Sequence, residues 1–343
     1  MPEKLRIGVL GLTHDHIWGE LNCVESCPDA EIVSAADAHA PLLTRVEQLI
    51  GCPVCDNPRK MLDEQTTINA VWLFSDNAAN VGLAELAAAR GLHIMTEKPM
   101  AHSLAGADRM LAAAKKNNVR LMINWPFAWW PQMQHALAIA QSGEIGDIWQ
   151  VKYRAAHEGP RELGCSGYFC DWLYDADRNG GGAMMDYCCY GALLARVLLG
   201  VPARVYGTRG RLCKEDITVE DNGMIVMSYP KAIAVSEGSW TQIGKLSSYV
   251  TMIYGTKGTL MVEPRHGGRL LRATSDEPDG VEVDVPALPS HLQNSCAHFV
   301  HSITTAEPFM PLCEENNCRD AQEILEAGLR SADQGSEVTI PIA

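Results

Sequence analysis

The stretch Ile7-Gly8-Val9-Leu10-Gly11-Leu12-Thr13-His14-Asp15-His16 decides how this chain is read. An apolar run ends in a glycine and gives way to helix-compatible sequence over residues 15–27. An apolar run without polar alternation suits a strand buried on both faces. Residues 31–36 form a second such run with Asp37 at its end, and residues 70–74, 92–96 and 120–123 repeat the pattern. Between them lie helical stretches, among them the alanine-rich residues 81–90 and 104–117. Strands alternating with helices predict an α/β Rossmann-type, doubly wound parallel sheet with both faces covered. Ligands of such sheets bind at the carboxyl ends of the strands. Residues 11–16, Asp37, 75–77 and 97–99 are therefore the ones to weigh.

A dinucleotide fingerprint needs G-x-G-x-x-G for a tight turn and close approach to pyrophosphate. Here only Gly11 of the three glycines is present. The following helix N-terminus can still offer N–H groups and a positive dipole end. Gly11, Leu12, Thr13, His14 and His16 are accordingly the expected cofactor contacts, with Thr13 or an imidazole adding a donor. A plainer reading makes His14-Asp15-His16 a helix start capped by Asp15, with the imidazoles packed nearby. Two histidines at i and i+2 do not share a helix face, so no metal is expected there. Asp37 lies about 25 residues beyond Gly11, where a carboxylate would accept from the adenosine ribose. Ala38-His39-Ala40-Pro41 supplies no Lys or Arg for a 2′-phosphate, so NAD is expected over NADP.

Glu97-Lys98-Pro99 follows a strand, and Lys98 there would point into the crevice and steady a reacting oxygen. Pro99 fits the first turn of the next helix. Further on, Gly180-Gly181-Gly182 precedes a helical pattern over residues 183–199, on which Asp186 and Tyr190 share a face at i and i+4. A carboxylate and a phenol one turn apart among apolar neighbours suit acid–base work. They also suit a satisfied core pair, and each motif alone is common.

Taken in order, these landmarks resemble the Gfo/Idh/MocA oxidoreductases. Those carrying the resemblance are Ile7-Gly8-Val9-Leu10-Gly11, Glu97-Lys98-Pro99, Gly143-Glu144-Ile145-Gly146-Asp147 and the triple glycine with Asp186. Phe299-Val300-His301-Ser302-Ile303 and Ser331-Ala332-Asp333-Gln334-Gly335 complete the set. The resemblance implies that Lys98 is the active-site lysine and Asp186 holds substrate. It puts Tyr190 where many members carry a histidine as acid/base. Residues 75–80, Ser75-Asp76-Asn77-Ala78-Ala79-Asn80, stand where T-P-N-x-x-H is usual, which makes Ser75, Asn77, Asn80 and Glu97 further cofactor contacts. It also implies a C-terminal α+β domain with a large, mostly antiparallel sheet that joins subunits into a homodimer or homotetramer.

The 343 residues suit two domains, drawn here as 1–123 for the dinucleotide and 124–343 for substrate and oligomerisation. From Gly146 the pattern turns to period-two strands at residues 148–154, 204–207, 223–229, 232–239, 248–254 and 259–263. His157, Arg161 and Trp172 sit in the connection before the glycine run and, with Trp125, are the expected substrate contacts; Trp125, Trp129 and Trp130 suit a sugar face or an interdomain staple. A surface hairpin is expected at Pro278-Asp279-Gly280. A net charge of −14 argues against nucleic acid and anionic membranes as partners. The chain start shows no export signal, and no run approaches a membrane span. Twelve cysteines in such a chain read as thiols of a cytoplasmic protein, with Cys52 and Cys55 in a surface loop and Cys188 and Cys189 as small core residues. The expected reaction is hydride transfer between a nicotinamide and a carbinol carbon of a sugar, polyol or related cyclic alcohol. Tyr190, its pKa lowered by Lys98, would take the hydroxyl proton, Lys98 would stabilise the alkoxide and Asp186 would orient a neighbouring hydroxyl. Alternatives are an NAD-dependent glycosidase working by transient oxidation, and a non-catalytic binding protein on the same fold.

Overall fold

The computed structural model describes residues 4–263 and 268–342; Met1, Pro2 and Glu3, used for the reading of the chain start, lie outside them. The first sheet holds β1 (Leu5–Leu10), β2 (Ala30–Ala36), β3 (Val54–Cys55), β4 (Ala70–Leu73), β5 (His93–Glu97) and β6 (Leu121–Asn124). All its pairings are parallel and its order is β3-β2-β1-β4-β5-β6. Ile7, Val9 and Leu10 are fully buried because helices cover both faces of the central strands. The order reverses between β1 and β4, which opens a crevice beyond their carboxyl ends.

Several local expectations are corrected. The first helix is Ile17–Glu25, and His16 at its start makes no side-chain cap. Asp15 does not cap it either. Its carboxylate accepts from the N–H and hydroxyl of Ser166 (2.6 and 2.7 Å), tying the turn to the second half of the chain. The helix expected at 81–90 is Asn77–Ala88, begun by the Asp76 carboxylate accepting from Ala79 N–H. Its first turn was illegible because Asn77 and Asn80 break the apolar period, yet both are buried. Pro99 begins no helix. The next one is Leu104–Lys116, behind a Ser103 cap, and the Lys98–Pro99 peptide is cis. Val54 and Cys55 form the edge strand rather than a loop, and all twelve cysteines are free.

The second sheet holds β7 (Ile148–Ala156), β8 (Arg204–Gly210), β9 (Asn222–Ser228), β10 (Ile233–Ser239), β11 (Val250–Gly255), β12 (Gly258–Glu263), β13 (Arg269–Thr274), β14 (Val281–Glu282) and β15 (Val338–Thr339). Its order is β14-β13-β12-β11-β7-β10-β9-β8-β15, with only β7 and β10 parallel among the described pairs. The expected hairpin around Pro278 joins β13 to β14. Helices Ala183–Leu199 and Glu315–Gln334 cover one face. The other leaves Trp149, Tyr206, Met224 and Ile233 exposed. The apolar run Ala176–Leu199 is long enough to cross a membrane, which corrects the expectation of no such run. Of its 18-residue apolar window, 78% is buried inside the protein, as in a core helix. The last helices return to the first sheet's layer: Ser295–Thr305 packs on Ile17–Glu25, and Glu315–Gln334 on Leu104–Lys116.

Candidate active site

The site is built where β5 meets the start of helix Ala183–Leu199. Lys98 follows β5 directly, and its N–H donates to the Asn124 carbonyl (3.1 Å). Gly180 (φ +93°) and Gly182 let the chain turn tightly into that helix; a Cβ on Gly182 would lie 2.1 Å from the Glu220 carbonyl oxygen. The Glu220 carboxylate accepts from Gly182 N–H (2.7 Å) and Met184 N–H (3.2 Å), setting a negative charge at the positive end of the helix dipole. Asp186 in the first turn is thereby aimed at Lys98.

The Lys98 ammonium donates to Asp186 Oδ1 (2.6 Å) and to the Asp186 carbonyl (3.1 Å). Asp186 Oδ2 accepts from Trp240 Nε1 (3.2 Å). Both side chains are nearly enclosed, 3% and 9% exposed. Burial by itself would lower the lysine pKa, but the Asp186 charge, helped by Cys189 and Glu97, holds it above its usual value. Lys98 therefore stays charged at neutral pH, and its third proton is left for a ligand oxygen.

Lys98 and Asp186 open into a cavity of about 330 Å³. Aromatic side chains wall it: Trp130, Tyr153, Phe169, Tyr187, Tyr190 and Tyr249. Tyr190 stacks on Tyr153 (5.5 Å, 13°) and meets the edges of Trp125 and Phe127. Lys98 Nζ sits 5.0 Å from the centre of the Tyr190 ring. The expected lowering of the Tyr190 pKa is not found. Burial pushes this phenol well up, the surrounding thiol, phenol and carboxylate groups add to it, and the lysine charge is spent on Asp186. Tyr187 shares a hydrogen bond with Tyr249 (2.8 Å between hydroxyls). Tyr153, Tyr187 and Tyr249 escaped the sequence reading, because tyrosines in strands and helices carry no motif.

Three imidazoles border this region in different ways. His14 Nδ1 accepts from His16 N–H (3.2 Å), which in the neutral ring leaves the proton on Nε2. Burial, followed by the charges of His16 and Lys98, keeps His14 neutral by holding its pKa well down. His157 Nδ1 accepts from Gly159 N–H (2.8 Å), with the same result. His16 is opposite: its Nδ1 lies 3.1 Å from Glu97 Oε1. Donor atoms of His14, His16 and Glu97 lie within 4.8 Å of one another, a span a divalent ion would fit. The His14 ring, however, has one nitrogen accepting and the other protonated, so it has no lone pair to give. Behind Glu97, Asn124 Nδ2 donates to Glu97 Oε2 (2.8 Å) and Glu20 Oε1 (2.9 Å), and Ser295 donates to the other Glu20 oxygen. Burial, then repulsion from Glu97, raises the Glu20 pKa to about 7.

The phosphate turn retains features that suit a dinucleotide. Gly11 has φ +86°, and a Cβ there would stand 2.5 Å from the Ser75 backbone nitrogen, so the turn hugs β4 as only glycine allows. Thr13 Oγ1 is buried without a partner, a hydroxyl free for a ligand oxygen. Asp37 is buried at the end of β2; Oδ2 accepts from Leu12 N–H (2.7 Å), and Oδ1 from His39 N–H (2.8 Å). Asn80 exchanges hydrogen bonds with the Ser75 backbone (3.1 and 3.3 Å) and shapes that turn. The Asn77 amide is committed to Asn179 (2.8 Å to Oδ1). Thr13 Oγ1 and Asp37 suit the group, whereas the N–H groups of Gly11, Leu12 and His14 are already given to Ala36, Asp37 and Phe74, which corrects their expected part in holding a diphosphate.

The expected substrate contacts separate. His157 lines the cavity. Trp125 is buried behind Tyr190 and donates to Cys318 Sγ (3.3 Å), while its neighbour Trp130 reaches the cavity. Trp172 donates to the Thr13 carbonyl (3.3 Å) and packs on His14, holding the second half of the chain to the phosphate turn. Arg161 is half-exposed, paired with Asp216 and set over the Tyr174 ring.

Comparison with known proteins agrees with this layout. The description "Oxidoreductase family, NAD-binding Rossmann fold" matches residues 5–125, and "GFO/IDH/MocA C-terminal domain" matches residues 133–261. A dTDP-3,4-didehydro-2,6-dideoxy-alpha-D-glucose 3-reductase of Streptomyces violaceoruber is 26% identical over 302 residues, 85% of this chain and 83% of that protein. A D-xylose 1-dehydrogenase [NADP(+)] of Haloarcula marismortui is 29% identical over 248 residues, 70% of this chain and 67% of that one. In fold the chain is similar to an oxidoreductase from Agrobacterium radiobacter solved with NAD+, L-tartaric acid and magnesium (TM-score 0.84, 19% identity, 98% of each chain). With a parallel nucleotide-type sheet, a largely antiparallel second sheet and both family regions present in order, this chain belongs to the Gfo/Idh/MocA family of NAD(P)-dependent oxidoreductases.

Proposed function

We propose that this enzyme oxidises or reduces a carbinol carbon of an uncharged sugar or polyol, with NAD as the redox partner. The observation that carries the reading is the Lys98–Asp186 pair at the bottom of an aromatic cavity, beside the carboxyl ends of the first sheet. A nicotinamide supplies a hydride acceptor or donor. The unpartnered hydroxyl of Thr13, in the turn after Gly11, would meet its diphosphate, and Asp37 the adenosine ribose, at the expense of a 2′-phosphate. Glu97 and the turn shaped by Ser75 and Asn80 would border the nicotinamide half. The third Lys98 proton binds the reacting oxygen and stabilises its negative charge. Asp186 keeps that ammonium in place and accepts from a neighbouring hydroxyl. The aromatic walls of the cavity suit the apolar face of a sugar. Among the described lining residues Lys98 is the one lysine or arginine, and it is already neutralised, which disfavours phosphorylated or nucleotide-linked substrates.

The division at residues 123/124, a cytoplasmic location, and assembly as a homodimer or homotetramer through the face bearing Trp149, Tyr206, Met224 and Ile233 belong to the same proposal. The test is calorimetry with NAD and NADP, followed by a panel of neutral sugars and polyols read by nicotinamide absorbance. Binding of NAD with turnover that Lys98→Met abolishes is expected. No dinucleotide binding at millimolar concentration, or full turnover by the variant, would overturn the reading.

A further inference from the structure

We propose that His16, oriented by Glu97, is the catalytic base and acid that exchanges the substrate hydroxyl proton. This rests on the functional reading above and adds a catalytic residue to it. His16 and Lys98 are the two cavity-lining residues contributed by the first sheet's layer. Glu97 is 1% exposed, and its carboxylate accepts from Asn124 at Oε2 and from His16 at Oε1. A carboxylate only accepts, so the His16 proton belongs on Nδ1 and the lone pair on Nε2. The His16 side chain is 41% exposed at the cavity, and Nε2 has no partner among the described residues.

The competing groups are arranged otherwise. His14 and His157 each accept a backbone N–H at Nδ1, which makes their other nitrogens donors. Tyr187 and Tyr190 are buried phenols with raised pKa values, and Lys98 holds its protons against Asp186. The groups facing His16 are Glu97, the neutral His14 ring at 4.6 Å, Lys98 across the cavity and, behind Asn124, Glu20. Asp15, next in sequence, is held by Ser166. In the oxidative direction the hydroxyl proton passes to His16 Nε2 and the C–O bond gains its second component. The C–H hydrogen leaves with both bonding electrons for the oxidised nicotinamide. The imidazolium is paired by Glu97 and can lose its proton to solvent on its exposed side. Reduction runs the same transfers backward. Glu97 and Asn124 are positioning residues.

Nitrogen NMR of histidine-labelled enzyme reads the first requirement directly. His16 should be protonated at Nδ1, with His14 and His157 protonated at Nε2; the reverse tautomer for His16 overturns the proposal. Steady-state kinetics read the second. His16→Ala should lower kcat about 10²–10⁴-fold and recover in part with added imidazole. Glu97→Gln should lower kcat less and shift the acid limb of the kcat profile. If the wild type turns over and His16→Ala is equally active, or if Tyr190→Phe rather than His16→Ala removes that limb, this assignment fails alone. A wild type that binds NADH but turns over no carbinol overturns the functional reading as well.

Discussion

Replacing Asp186 by Asn keeps the shape of the site and removes one charge, so it isolates what the Lys98 pair contributes. Breaking a buried ion pair by removing one partner costs about 3–5 kcal/mol, because the other charge stays enclosed. The amide oxygen of Asn can still accept from Lys98, and a hydrogen bond to a charged group returns about 1.5–3 kcal/mol. With Lys98 3% exposed and its bond to the Asp186 carbonyl retained, a net loss of about 1.5–2 kcal/mol at pH 7 is expected. The pH dependence has a definite sign. In the wild type the lysine pKa lies above its unfolded value, so its contribution is complete below about pH 10 and is lost only at higher pH. In Asp186→Asn the burial that Asp186 offset now dominates and pulls the folded pKa below the unfolded one. The unfolded chain then binds more protons near neutrality, and the variant should gain stability as pH rises from 7 to 9.5. Urea unfolding followed by tryptophan fluorescence at both pH values measures this, and Trp240 reports from the site itself. A deficit below about 1 kcal/mol at pH 7, or a deficit equal at both pH values, would refute the reasoning.

Three further outcomes are expected. Gly11→Ala forces a side chain into a left-handed conformation 2.5 Å from the Ser75 backbone, so it should cost about 1–3 kcal/mol of stability and weaken NADH binding, read by thermal unfolding and fluorescence titration. Glu20 carries a folded pKa of about 7, above that of an unfolded glutamate, so its contribution falls as pH rises from about 4.3 to 7. Glu20→Gln should therefore gain about 1–2 kcal/mol over the wild type between pH 5 and 8 in chemical unfolding, after allowance for its partial exposure. Asp37→Ser should lower the preference for NAD over NADP at least tenfold, measured as the ratio of dissociation constants; an unchanged ratio removes Asp37 from cofactor selection.

The layers of this fold were legible because burial on both faces writes continuous apolar runs at β1, β2, β4 and β6, and because helix Ala183–Leu199 is apolar around most of its circumference. The short strands β13, β14 and β15 were not legible, since two to six residues at or next to a sheet edge acquire their shape from the neighbour they pair with. Lys98 and Asp186 were foreseeable from their places after a strand and at a helix start. The Tyr190 proton chemistry was not, because a phenol pKa depends on what surrounds it, and here that is Tyr153, Phe127 and Trp125.

The amino-acid order alone determined that strands and helices alternate, that Gly11 ends β1, and that a lysine and an aspartate occupy positions able to meet. Periodicity and glycine conformation act over a few residues, and a linear text records them fully. Which nitrogen of His16 carries the proton, why Trp130 rather than Trp125 reaches the cavity, and how Asp15 came to hold Ser166 were decided only in three dimensions. Each depends on a partner 81 to 193 residues away, at a distance set by the packing of two sheets and the helices between them.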